Sequence, residues 1–170
     1  MADLRKISAL ILDDNAHMRE LLKVNLSAFG LVHIHQASNS LGALAMLDKA
    51  EVDMAFVDLK LGDKSGLGGI EFCRDIRKRA EPELRLLPLI VVTAYSELRY
   101  IKQAIDAGAD EFLVKPVSPA TMADRINAVI ERRRPFITSS DYLGPDRRRR
   151  RDKKFAGPFR RFDDAGDIEI

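Results

Sequence analysis

The first 134 residues alternate between two hydrophobic spacings. Positions 8–12 form a short apolar run that ends in Asp13-Asp14. Met18, Leu21, Leu22, Leu26 and Phe29 then recur at the spacing of one helix face, and Gly30 stops that helix. A strand is predicted over 32–37, followed by a helix rich in Ala and Leu that carries Leu41, Leu44 and Ala45 and runs to Asp48. Positions 52–57 are a second apolar run that also ends in an acid, Asp58, and a loop with four glycines spans 62–69. A helix is predicted over 70–79, with Pro82 and Pro88 framing the link to the next strand. That strand, 89–92, is wholly apolar, as a parallel strand buried on both faces would be. Leu98, Ile101 and Ile105 mark a helix face closed by Gly108, 112–114 predict a last strand, and Met122, Ile126, Val129 and Ile130 a final helix.

Five strand–helix units in succession predict an α/β fold: a doubly wound, five-stranded parallel sheet in the flavodoxin-like (βα)5 order, with a C-terminal extension. Ligands of such folds sit outside the carboxyl ends of the strands. Asp13, Asp14, Asp58, Thr93 and Lys115 all fall there. Each alone is ordinary, since an Asp pair before a helix is more often an N-cap and a Thr at a strand end more often structural. Their convergence on one end of one sheet is what points to chemistry.

Three carboxylates in one crevice repel one another and call for a cation. Oxygen ligands with room for water suit Mg²⁺, held here by Asp14 and Asp58. Asp58 is then placed to attack phosphorus as a carboxylate nucleophile. Thr93 offers a hydroxyl to a phosphoryl oxygen, and Lys115 a point charge that pairs with the phosphate or, before it, with Asp58. His17, His33 and His35 lack metal-ligand spacing and are expected to have no role, the latter two as outward-facing strand residues.

Composition narrows the setting. Hydrophobic residues make up 46% of the 170, enough for a sizeable core. The single cysteine, Cys73, excludes an internal disulfide framework and fits a reducing compartment. With no apolar run of membrane-spanning length and no signal-peptide pattern, a cytoplasmic protein is expected. The net charge of +2 is unevenly spread: ten bases face three acids between Arg132 and Lys154, whereas the last eight residues carry four acids and no base.

The stretches LILDD, FVDLKLGDKSG, VVTAY and GADEFLVKP resemble the signature segments of the receiver family of two-component response regulators, in order and over roughly residues 5–134. The resemblance implies a single-domain response regulator of the chemotaxis type, not an enzyme beyond loss of its own phosphoryl group, phosphorylated on Asp58 by a histidine kinase or phosphotransfer protein. It implies an acid pocket of Asp13, Asp14 and Asp58, with the carbonyl of Lys60 as a further Mg²⁺ ligand. It also implies Thr93 and Phe112 as a switch pair read by a downstream protein, and a cis Lys115–Pro116 bond. Two features depart from the family. Leu61-Gly62 stand where many receivers have Met-Pro, and the loop before Gly69 is longer. A Mg²⁺-dependent phosphatase is the competing class, but it needs an acid two residues after the nucleophile, where Lys60 stands. Lys60 and Tyr95 lie two residues beyond Asp58 and Thr93, where their side chains would shield the phosphoryl group, so a slowly hydrolysing aspartyl phosphate is expected.

Positions 1–134 are therefore expected to form the receiver and 135–170 a basic, arginine-rich tail too small and polar for a core of its own. The tail carries a repeat. Tyr142-Leu143-Gly144-Pro145-Asp146-Arg147-Arg148 is echoed 13 residues later by Phe155-Ala156-Gly157-Pro158-Phe159-Arg160-Arg161. Each Gly-Pro turn is expected to present an arginine pair beside an aromatic ring. Arginines of this kind bind phosphates and guanine edges and stack on bases. The tail is similar to those of arginine-tailed receivers that bind cyclic di-GMP, which implies Tyr142, Arg147, Arg148, Phe155, Arg160 and Arg161 as contacts. The alternatives are a protein-docking arm and a nonspecific nucleic-acid arm, the latter opposed by the acidic end.

Overall fold

The computed structural model describes residues 4–62, 68–94, 97–139 and 142–147. The elements run β1 (Ser8–Leu12), α1 (Ala16–Ala28), β2 (His33–Ala37), α2 (Ser40–Leu47), β3 (Met54–Asp58), α3 (Gly69–Arg77), α4 (Pro82–Arg85), β4 (Leu89–Thr93), α5 (Leu98–Asp106), β5 (Glu111–Val114), α6 (Pro119–Glu131), β6 (Phe136–Thr138) and β7 (Leu143–Pro145). Strands β1 to β5 form one parallel sheet in the order β2-β1-β3-β4-β5. This is the flavodoxin-like fold.

Strict alternation in the strands divides the core in two. Leu10 and Leu12 of β1 and Leu89 and Val91 of β4 join Phe72 and Ile76 of α3 on one face. Ala9, Ile11, Ile90 and Val92 join Leu22 and Leu26 of α1 and Met122 and Ile126 of α6 on the other. A strand's side-chain period of two is what lets one apolar run serve both layers. His33 and His35 lie on the edge strand β2, His33 exposed and His35 half-buried.

Two differences from the predicted elements have local causes. The link between Pro82 and Pro88 contains the helical turn α4, because Pro82 supplies a pre-set φ at a first helical position where no N–H is needed. The other is in the C-terminal segment. Gly144-Pro145, expected as a turn, lies in β7, which pairs antiparallel with β6 through Phe136↔Pro145 and Thr138↔Leu143. The resulting hairpin packs on the N-terminal side of β5. A Cβ on Gly144 would stand 2.8 Å from Gly108 Cα, so the glycine allows a close approach that any larger residue would block.

Candidate functional site

The carboxyl ends of β1, β3, β4 and β5 bring the acids and their partners together. The strand order turns between β1 and β3, the point at which this topology opens a crevice. Asp58 closes β3 and Thr93 closes β4, both buried. Asp13 and Asp14 follow β1, and one ligand oxygen from each of Asp13, Asp14 and Asp58 lies within 4.8 Å of the others.

Asp13, only 1% exposed at its side chain, is committed on both oxygens. Oδ1 accepts the Asn15 N–H at 2.8 Å, and Oδ2 accepts Lys115 Nζ at 2.8 Å. Helix capping falls to Asn15 instead, whose side chain accepts the N–H groups of His17 and Met18. Arg19 of α1 reaches back to donate to the carbonyls of Asp13 (2.8 Å) and Asp14 (3.2 Å), which fixes the chain as it leaves β1. Asp14 is exposed and accepts the Gly62 N–H at 3.0 Å on Oδ2.

Lys115 Nζ also donates to Asp58 Oδ1 at 3.1 Å, so one ammonium spans two acids. Burial pushes the Asp58 carboxyl above its ordinary 3.8; Lys115 opposes this, and the charges of Asp13 and Asp14 add to it. Burial pulls Lys115 down, but its hydrogen bonds and charge contacts with Asp13 and Asp58 outweigh that, leaving the ammonium above its ordinary 10.5. The Lys115–Pro116 bond is cis. One lysine against three carboxylates leaves an oxygen-rich site with net negative charge, which is the donor set a hard divalent cation takes.

Thr93 and Phe112 share a face of the sheet. Val91 pairs with Phe112 and Thr93 with Val114, so a period of two puts the Thr93 and Phe112 side chains on the same side. Phe112 is half-buried against the core layer of α3 and α5, with the Arg125 guanidinium 5.9 Å from its ring centroid. Lys60 Nζ lies 5.4 Å from the centroid of Tyr100 on α5; Tyr95 is outside the described residues.

A match to the response regulator receiver domain covers residues 9–127. The chain belongs to this family. It is 32% identical over 128 residues to the chemotaxis protein CheY-3 of Vibrio cholerae, covering 75% of this chain and 95% of that protein. It is 34% identical over 123 residues to the transcriptional regulatory protein ResD of Bacillus subtilis, covering 72% of this chain but 48% of that longer protein. Among solved structures, a putative response regulator from Chloroflexus aurantiacus superposes with a TM-score of 0.67 at 26% identity, over 75% of this chain and all of that one. Two-component signalling is thus the setting of this receiver. No described helix is long and apolar enough to cross a membrane.

Sequence reasoning did not find several residues that hold the site. Gly69 starts α3 directly against the end of β3, where a Cβ would fall 1.8 Å from the Asp58 carbonyl oxygen. The glycine-rich loop was a visible signal, but which glycine was indispensable was not. Also unforeseen was the buried ion pair of Arg77 and Asp110, at 2.9 Å with both side chains 3% exposed. Of the tail residues, Tyr142 and Arg147 are described, with the Arg147 guanidinium 3.9 Å from the Tyr142 ring centroid. Arg148, Phe155, Arg160 and Arg161 lie outside the described residues.

Proposed function

We propose that this receiver accepts a phosphoryl group on Asp58 from a histidine kinase or phosphotransfer protein. The observation that carries this is the buried Asp58 carboxylate, with Lys115 on one oxygen and two further acids close by. An Asp58 oxygen attacks phosphorus of a phosphohistidine; the O–P bond forms as the P–N bond breaks, and the electron pair leaves with the imidazole, which takes up a proton. Asp14, Asp58 and the Lys60 carbonyl would hold Mg²⁺. Asp13, already bonded on both oxygens, would support it at the edge while orienting Lys115. When bound, the ion offsets the carboxylate charge and that of the arriving phosphoryl oxygens. Lys115 then exchanges Asp58 for the phosphoryl group, and the Thr93 hydroxyl donates to a second phosphoryl oxygen. Drawing Thr93 inward opens space for Phe112 to turn toward the core, biasing an equilibrium that a downstream protein reads. Incubation with acetyl phosphate and Mg²⁺ tests this: phosphoprotein labile to hydroxylamine and base should form, and be lost in Asp58→Asn or with EDTA. Equal labelling of Asp58→Asn would overturn the assignment. The phosphoprotein should also decay slowly, and a half-life of seconds would remove the shielding role given to Lys60 and Tyr95.

The C-terminal segment, 135–170, is read as a basic extension that binds cyclic di-GMP. Supporting this is the Arg147 guanidinium 3.9 Å from the Tyr142 ring centroid, which brings together a cation and an aromatic ring, the groups that pair with phosphates and stack on bases. Calorimetric titration of cyclic di-GMP into the full chain should show binding that is lost in the Arg147→Ala, Arg148→Ala double variant. No binding would leave a protein-docking or nucleic-acid arm, and a steep fall of DNA affinity with salt would identify the second.

A further inference from the structure

Residues 135–139 and 142–147 are built into the base of the face formed by α5 and β5. Phe136 is buried between two guanidinium groups, with Arg77 5.0 Å and Arg133 4.7 Å from its ring centroid. Arg134 donates to the Asp146 carbonyl at 2.6 Å and to the Asp110 carbonyl, and the Asp146 N–H donates to the Pro135 carbonyl at 2.7 Å. Gly144 meets Gly108 with no room for a Cβ on either residue. The hairpin is thereby anchored to the ends of α3 and α6 as well as to the turn before β5.

Its contact with α5 itself is different in kind. Arg147 pairs with Asp106, the last residue of α5, at 3.2 Å, with both side chains about one-third exposed. Beside this pair a cleft of about 180 Å³ is lined by Ala104 and Ile105 of α5, Phe112 of β5, and Arg134 and Arg147 from the C-terminal segment. A turn of Phe112 changes a wall of this cleft, and a shift of α5 changes the distance between Asp106 and Arg147. The hairpin cannot follow, because Arg77 and Arg133 hold it to other helices.

We infer that the β6–β7 hairpin is a latch, closed on α5 by the Arg147–Asp106 pair, that favours the arrangement in which Lys115 pairs with Asp58 and so opposes activation at Asp58. The inference rests on the phosphoacceptor role proposed above. Linkage makes it reciprocal: whatever factor activation takes from latch docking, release of the latch returns to activation.

The test uses the full chain with beryllofluoride and Mg²⁺, read by affinity and by amide hydrogen exchange. Asp106→Asn removes the ion pair, and Gly144→Ala places a Cβ against Gly108; neither residue belongs to the acid pocket. Asp106→Asn is expected to tighten beryllofluoride binding by up to about fivefold, as a partly exposed ion pair allows, and Gly144→Ala by more. In the unchanged chain, beryllofluoride should raise exchange over 142–147, the segment beside Asp106, while lowering it around Asp58. Protection gained around Asp58 with unmoved exchange in the hairpin overturns the latch alone, as does unchanged affinity in Asp106→Asn. No response in either region overturns the phosphoacceptor role and the latch with it. If Gly144→Ala proves unfolded by circular dichroism, Asp106→Asn decides.

Discussion

Replacing Arg77 with alanine should be among the most damaging single changes to this chain outside its acid pocket. The side chain is 3% exposed and makes five hydrogen bonds: two to the Gly108 carbonyl (3.0 and 2.8 Å), one each to the Arg85 and Leu87 carbonyls (2.9 and 2.7 Å), and one to Asp110 (2.9 Å). Burial pulls the guanidinium below its ordinary pKa, and the Asp110 charge opposes that. Removing it takes the guanidinium donors from two buried carbonyls and one part-buried carbonyl, and one of two cations from Phe136. Breaking a buried ion pair from one side costs about 3–5 kcal/mol. The lower half of that range is expected, because Asp110 keeps Arg133 at 2.8 Å and the Leu89 N–H at 2.9 Å. For a chain of this length that loss lowers Tm by roughly 6–16 °C. Urea titration followed by circular dichroism measures it as a lower midpoint at unchanged slope. Arg77→Lys, with three donors and no planar fork, should recover only part of the loss. A cost below about 1 kcal/mol, the level of a surface ion pair, would refute the claim that this joint ties α3, β4, β5 and the hairpin together.

Other outcomes follow from the acid pocket. Asp58 binds its proton more tightly folded than unfolded, so its contribution is most favourable below the ordinary 3.8 and is lost as pH rises through the folded value. Metal-free Asp58→Asn should therefore be more stable than the unchanged chain at pH 7, with the gap closing toward pH 4; a gap that widens on acidification contradicts the sign. Mg²⁺ at ten times its dissociation constant should stabilise the chain by about 1.4 kcal/mol, seen as a rise in Tm, and Asp14→Asn should abolish most of the effect. Gly69→Ala forces a Cβ to 1.8 Å from the Asp58 carbonyl oxygen, so α3 must move. It should lower both Tm and the rate of phosphorylation by acetyl phosphate, and wild-type values for both would show that the start of α3 yields at no cost.

The fold and the acid pocket were legible in the chain for one reason. Short continuous apolar runs that end in polar residues, alternating with helical periods, dictate a parallel sheet, and a parallel sheet collects its strand ends at one pole. Asp13, Asp14, Asp58, Thr93 and Lys115 could be placed together without coordinates because each adjoins a predicted strand end. The details that depend on distance could not. That both oxygens of Asp13 are occupied, and that Lys115 spans two acids, follow from side-chain reach across strands far apart in sequence.

The C-terminal segment marks the boundary most clearly. Its charge and its aromatic and arginine repeat were evident from the residues alone. Its composition argued against a core of its own, and that argument concerns only what 36 residues can bury by themselves. What tertiary structure decided is that part of the segment need not bury itself alone. Phe136 finds two guanidinium groups, and Gly144 finds another glycine, on a surface that exists only once α3, β5 and α6 have packed. Local pattern dictated the five strand–helix units; that 136–138 and 143–145 form a strand pair at all, and where it comes to rest, depends on contacts that no local pattern contains.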